Sequence, residues 1–205
     1  LKSYSEEASG KMGLDYNISS ASVIGIKITS DPGIYLFNSS GKNYISGDPL
    51  AKHNYLGASN DMYDDWVQTD VSLDFNHKLD TLGSNFSIIT DYMIYPEYVL
   101  NKTYNGYYDA FGNEVLLPDN FRNVDRSNSN LLSVRANLTK TLDTTSTVET
   151  GLKFSQIKTW NDFLFERDFF NNGKYIKDED LSNKFDYREL TYAAYFNYNK
   201  SIKKL

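Results

Sequence analysis

A chain of 205 residues suits one β domain, and a mean hydropathy of −0.54 without any run of about 18 apolar residues excludes a helical membrane protein. The net charge of −6, with no basic stripe, argues against nucleic acid as a partner, and the excess acid is most simply a solvated surface. Cysteine is absent, which removes disulfides and thiolate metal sites.

In chain order, the first segment sets Met12, Leu14, Tyr16 and Ile18 against Gly13, Asp15 and Asn17. The second sets Ile24, Ile26 and Ile28 against Val23, Gly25 and Lys27. In the third, Val71, Leu73 and Phe75 alternate with Asp70, Ser72, Asp74 and Asn76. The fourth, Phe86, Ile88, Tyr92 and Ile94, is interrupted by Ile89 and Met93 on its polar side. The fifth alternates Leu132, Val134, Ala136 and Leu138 with Ser133, Arg135, Asn137 and Thr139. The sixth alternates Val148, Leu152 and Phe154 with Glu149, Gly151, Lys153 and Ser155. The last sets Leu190, Tyr192, Ala194, Phe196 and Tyr198 against Thr191, Ala193, Tyr195, Asn197 and Asn199. Period-two alternation of this kind is the signature of strands with unlike faces.

Any antiparallel sheet with one wet face alternates in this way, so a soluble β-sandwich or small barrel stays open on that ground alone. The connections shift the balance. Short ones fall near 19–21, 79–83 and 142–145; long ones cover roughly 29–65, 100–129 and 163–184. Short turns at one end and long loops at the other are the pattern of a transmembrane β-barrel. Aromatic residues near strand ends (Tyr16, Tyr92, Tyr95, Tyr98, Trp160, Tyr192 and Tyr198) suit the girdles at the two membrane interfaces. The expected fold is all-β: an antiparallel up-and-down meander of about seven strands, part of a larger transmembrane β-barrel and spanning 1–205 as one segment. Asp74, Arg135, Glu149 and Lys153 fall on the polar parity, and a cation at a lipid-exposed midplane costs roughly 2–4 kcal/mol, so these four are expected to face the lumen. Because bacterial single-chain barrels close with an even number of strands, the count of seven and the lack of a leader at Leu1 suggest a segment of a larger protein.

The segments 11–16 (Lys11, Met12, Gly13, Leu14, Asp15, Tyr16), 132–138 (Leu132 to Leu138) and 148–155 (Val148 to Ser155) resemble the barrel of TonB-dependent outer-membrane receptors. The likeness is to the outer membrane protein beta-barrel branch common in Bacteroidetes. Thr159, Trp160, Asn161, Asp162 and Phe163, followed by Tyr187, Arg188, Glu189 and Tyr192 to Tyr195, fit the same strand–loop–strand cadence. The resemblance runs over nearly the whole chain, although each motif is degenerate. It implies a bacterial outer-membrane location, a barrel of about 22 strands with a plugged lumen, and energy-coupled import of an external solute. No plug domain and no TonB box appear in these residues, so contact with the TonB complex is implied only for the parent protein.

Catalysis is not expected. His53 falls in a long connection and His77 beside a short turn, and no nucleophile is in register with either. The nearest approach to a metal motif is Asp178 and Asp180, with Glu189 in the twelfth position, which imitates a calcium loop; Asn183 replaces its glycine and the flanks do not read as helices. Asp61, Asp64 and Asp65 read as a solvated loop, and no cofactor is expected. The partners expected are outer-membrane lipid and an unknown external ligand, and the isolated chain should self-associate through its apolar face or open edges. The competing function is a soluble binding module, for instance one presenting Tyr and Trp to carbohydrate.

Overall fold

The computed structural model describes residues 1–44 and 54–202; His53 lies outside them. They form β1 (Lys2–Glu7), β2 (Gly10–Asn17), β3 (Ser22–Tyr44), β4 (Tyr55–Lys78), β5 (Asn85–Tyr108), β6 (Asp119–Thr141), β7 (Ser146–Arg167), β8 (Ile176–Lys177) and β9 (Asn183–Lys200). All belong to one antiparallel sheet. β1 and β2 share β3 in a single register, Lys2 opposite Asn38 and Asn17 opposite Val23, so they are one edge strand interrupted at Ala8 and Ser9. At the other edge β8 and β9 both lie against β7. Seven strand tracks therefore run side by side as an up-and-down meander, the architecture the alternation points to.

Two prolines mark the places where the ladder thins. Ala8 N–H donates to Pro32 O at 3.0 Å, but Pro32 has no N–H to return, and β1 parts from β2 there. Pro96 sits across from Val67, and the β4–β5 register skips that pair and its neighbour Gln68 with Tyr95. Each proline removes one bond from strands of 23 or 24 residues, too little to end them.

The three tight turns are set by local side-chain caps. Ser19 Oγ accepts the N–H groups of Ala21 and Ser22 at 3.2 and 3.1 Å. Asp80 Oδ1 accepts those of Leu82 and Ser84 at 2.9 and 3.0 Å, and Gly83 supplies the positive φ of 98° that this turn requires. Asp143 Oδ1 accepts from Thr145 N–H at 2.7 Å. All three lie at one end of the sheet, because a single cross-strand row runs Ser22, His77, Phe86, Leu138, Thr150, Phe196 beside them. β3 starts on that row, β4 passes it by Lys78 alone, and β6 runs on to Thr141. This stagger is the shear of tilted barrel strands.

At the other end the structure corrects the sequence reading. Strands β3 to β7 fill most of what reads as long loops, leaving among the described residues the connections 109–118 and 168–182, the latter containing β8. Apolar alternation stops partway along each strand, yet the backbone ladder needs no apolar side chain to continue. Asn, Ser, Thr and Tyr carry it on, finished by the stack of Tyr55 on Tyr108, 5.1 Å between ring centres. A strand of 24 residues reaches roughly 80 Å, several times the ≈ 25 Å apolar band of a barrel. Asp61, Asp64 and Asp65 consequently belong to β4 and not to a loop.

The two faces differ in crowding as well as chemistry. Along β5, Asp91, Met93 and Tyr95 are half-buried while Tyr92, Ile94 and Pro96 are exposed. A curved sheet crowds side chains on its concave face, so the polar parity is concave and the apolar parity convex. The convex rows hold Ile24, Phe75, Ile88, Ala136, Leu152 and Ala194, then Ile26, Leu73, Thr90, Val134, Phe154 and Tyr192. No second layer covers them: Leu73 is 45 % and Ile26 40 % exposed, and Val124 is the one large hydrophobic side chain that is buried among the described residues. A sandwich or small soluble barrel would bury these positions in a core. The soluble alternative is therefore set aside.

Candidate functional site

The concave face is where functional side chains can gather. Asp74, Ile89, Arg135 and Lys153 occupy one cross-strand row, and Glu149 lies on the same face nearer the turns, two rows away beside Thr139. The four polar-parity charges thus share one face. Arg135 Nη2 lies 3.0 Å from Asp91 Oδ2, and Asp91 also accepts from Ser72 Oγ. Both partners of that ion pair are well exposed, so it contributes little stability and much local field. Asp15 and Asp74 flank Gly25 so closely that a side chain there would meet both carboxylates.

Moving away from the turns, the concave rows become acidic. They bring together Asp70 and Glu189, then Asp31, then Glu7 and Glu97, then Asp64 and Asp125, with Lys11 the only cation on those rows among the described residues. Aromatic rings are interleaved: Trp66 lies across Gly33, Tyr95 O–H donates to Glu97 at 3.4 Å, and Tyr35 stacks with Phe37 at 6.3 Å. Beyond the apolar band, burial pushes the Asp64 carboxyl above its ordinary value, and the charges of Glu97 and Asp65 add to the rise. Its Oδ1 is buried without a hydrogen-bond partner. Such a mouth attracts cations and polarisable solutes and repels anions. Of the two residues that interrupt the polar parity of β5, Ile89 lies beside Arg135, while Met93 joins its cross-strand neighbours Leu131 and Ile157 in one apolar patch on this face.

The calcium-like spacing is not used as a calcium loop. Asp178 Oδ1 accepts the N–H groups of Asp180 and Leu181, both at 3.2 Å, while Oδ2 faces Arg167 Nε at 3.6 Å. Glu189 stands apart in β9, held by Tyr187 and Thr191. Among the described residues, no three His, Asp or Glu side chains gather as a metal site would need. His77 Nδ1 bonds Ser22 Oγ at 2.8 Å near the turns, with no carboxylate joined to it. At the same end, the bond from Lys140, joined by those from Ser84, holds the Asp80 carboxyl well below the usual carboxylate range.

Sequence reasoning missed the acidic mouth because Asp31, Asp64 and Asp125 fall inside apparent loops, and Glu7, Asp70, Glu97 and Glu189 join them only through the register. The usable signal was parity: Asp31, Asp64, Glu97 and Asp125 continue the polar positions of the neighbouring strands beyond the point where apolar partners stop.

One sheet, tight turns at one end, an uncovered apolar convex face and a polar concave face are the geometry of an outer-membrane barrel wall. Residues 77–205, from the end of β4 through β9, match the model of the outer membrane protein beta-barrel family. The chain belongs to that family. No curated protein matches it. As an outer-membrane barrel protein of bacteria, it turns its short connections to the periplasm and the ends of its long strands to the exterior. The aromatic girdle sorts accordingly: Tyr16 and Tyr198 lie on the convex face near the turns, and Tyr98 and Trp160 on the same face towards the exterior. Tyr95 belongs to the other face, beside Glu97, and Tyr92 and Tyr192 lie within the apolar band, in the rows of Leu132 and of Leu73, not at its edges.

Proposed function

We propose that this chain is wall of a receptor barrel that takes up an external solute through TonB-dependent energy coupling. The observation that carries the reading is the predominantly polar concave face, broken by the one apolar patch around Leu131, which runs the length of strands of 22 to 24 residues from the periplasmic turns to the exterior. A barrel serving only as an anchor has no use for strands so far in excess of the bilayer. Asp74, Arg135, Glu149 and Lys153 then line the lumen, and the acidic, aromatic mouth makes first contact with the solute. Further strands complete the barrel, and the TonB contact belongs to a plug region, as the resemblance implies. Catalysis has no part in this reading.

Depletion of solutes from the growth medium, followed by mass spectrometry, tests it. Cells lacking this protein and cells lacking the inner-membrane coupling complex should leave the same solute behind, at least about tenfold more slowly consumed than in the parent. Unchanged depletion without the protein would remove the transport role. A defect in the protein-deletion strain alone would remove the energy coupling.

A further inference from the structure

The convex face carries a second pattern that transport does not require. Following each strand outward from the apolar band, the first charged residue on that face is Glu6 on β1, Lys42 far out on β3 and Asp65 on β4, then Lys102 on β5, Arg126 on β6, Lys158 on β7 and Arg188 on β9. Four successive strands thus present a cation at the upper edge of the band, in a chain whose net charge is −6. The cations descend diagonally across the sheet as the strands shear. Arg126 lies opposite Tyr98, Lys158 opposite Asn130, and Lys158 directly opposite Arg188.

All four are exposed, and none is within ion-pair distance of a carboxylate among the described residues. Of the nearby carboxylates, Asp162 is held by Lys184 at 2.5 Å and Glu166 by Arg122 at 2.6 Å, while Asp61, directly opposite Lys102, accepts from the Asn38 amide. Arg188 Nη2 donates to Gln156 at 3.1 Å, and Arg126 lies over the Tyr98 ring at 5.5 Å. Trp160, 41 % exposed, stands one step beyond Lys158 on the same face, at the height of an interfacial anchor. At the periplasmic edge of the same face Lys140 is tied to Asp80 at 2.9 Å, and Lys200 of β9 lies opposite Ser146.

We propose that Lys102, Arg126, Lys158 and Arg188 form a site for anionic, phosphate-bearing headgroups of outer-leaflet lipid. The occupant follows from continuity: acyl chains must cover Leu132, Phe154, Leu190 and Tyr192 directly below, so the headgroups of those same lipids reach the cations above. Lysine ammonium and arginine guanidinium groups on a convex wall are charge-complementary to phosphate, and the guanidinium forks match its paired oxygens. This inference rests on the barrel reading and its orientation, and it is independent of what the barrel transports.

The test places the full chain in bilayers of phosphatidylcholine containing phosphatidic acid, with one or the other lipid brominated. The sequence has two tryptophans, so a Trp66→Phe background leaves Trp160 as the reporter, quenched by the lipid beside it. Quenching should favour brominated phosphatidic acid, and each cation removed in Lys158→Gln and Arg188→Gln should reduce that preference by about fivefold, the factor equivalent to ~1 kcal/mol per cation near a charged surface. The preference should weaken as salt is raised, survive Lys158→Arg with Arg188→Lys, and be unchanged by Lys140→Gln. Should the glutamine variants fail to insert, the salt dependence of the unsubstituted reporter decides. Equal quenching by the two lipids, or a preference abolished by inorganic phosphate at the concentration of the lipid phosphate, would overturn the proposal while leaving the barrel intact. A chain removed from the bilayer by carbonate washing would overturn both together.

Discussion

Leu73→Arg is expected to destabilise the folded barrel by about 2–4 kcal/mol in the bilayer, the cost of a cation near the lipid midplane. Leu73 lies in the interior of β4, on the convex face, between Ile26 and Thr90 and in the same row as Val134 and Phe154. It is 45 % exposed with no protein above it, so the guanidinium would meet acyl chains and would have to snorkel several residues along the strand to reach water. Asn76, three positions away in the same strand, points to the opposite, polar face. Asn76→Arg should therefore change stability by no more than about 0.5 kcal/mol, as at an ordinary wetted surface. Urea titrations of both variants refolded in phospholipid vesicles measure the difference. Equal losses would mean that the faces are wrongly assigned.

Gly33→Ala is expected to cost about 1–3 kcal/mol, which is large for the addition of one methyl group. The cause is steric and lies across the strand pair. Gly33 is opposite Trp66, and a Cβ built on Gly33 falls within the indole ring, which occupies the space a side chain would take. An aromatic ring laid over a glycine of the neighbouring strand restores contact area that the glycine lacks and fixes the pair in register. The alanine must push the ring outward towards Glu97, breaking that cover. In a Trp160→Phe background the Trp66 emission should shift to the red as the ring gains water. An unshifted spectrum together with unchanged stability would show that the indole is not held against Gly33.

Much of the sheet was legible in the sequence because the lipid-facing segments must alternate, and residues such as Leu132, Val134, Ala136 and Leu138 have little freedom to do otherwise. The seven tracks and the shared face of Asp74, Arg135, Glu149 and Lys153 could be read from parity, and the three tight turns from the short connections between alternating segments. The outer halves of β3 to β7 could not. There Asn, Ser, Thr, Tyr and Asp occupy both faces, so period-two alternation fades while hydrogen bonding between backbones persists. Loop composition and exposed-strand composition are then nearly the same. Most of the acidic mouth and of the row of convex cations lies in that stretch, and each depends on neighbours from four or more strands. Only the register brings Asp31, Glu97 and Asp64 together, or sets Lys158 against Arg188.

The central claim is that the apolar parity faces lipid and the polar parity faces water within one wall. The sequence contains no cysteine, so single cysteines introduced from 131 to 138 along β6 can each carry a unique nitroxide label. Collision with oxygen, which concentrates in lipid, should peak at 132, 134, 136 and 138. Collision with a water-soluble nickel chelate should peak at 131, 133, 135 and 137. Two out-of-phase profiles of period two are the expected result; in-phase profiles, or lipid exposure centred on Ser133 and Arg135, would contradict it.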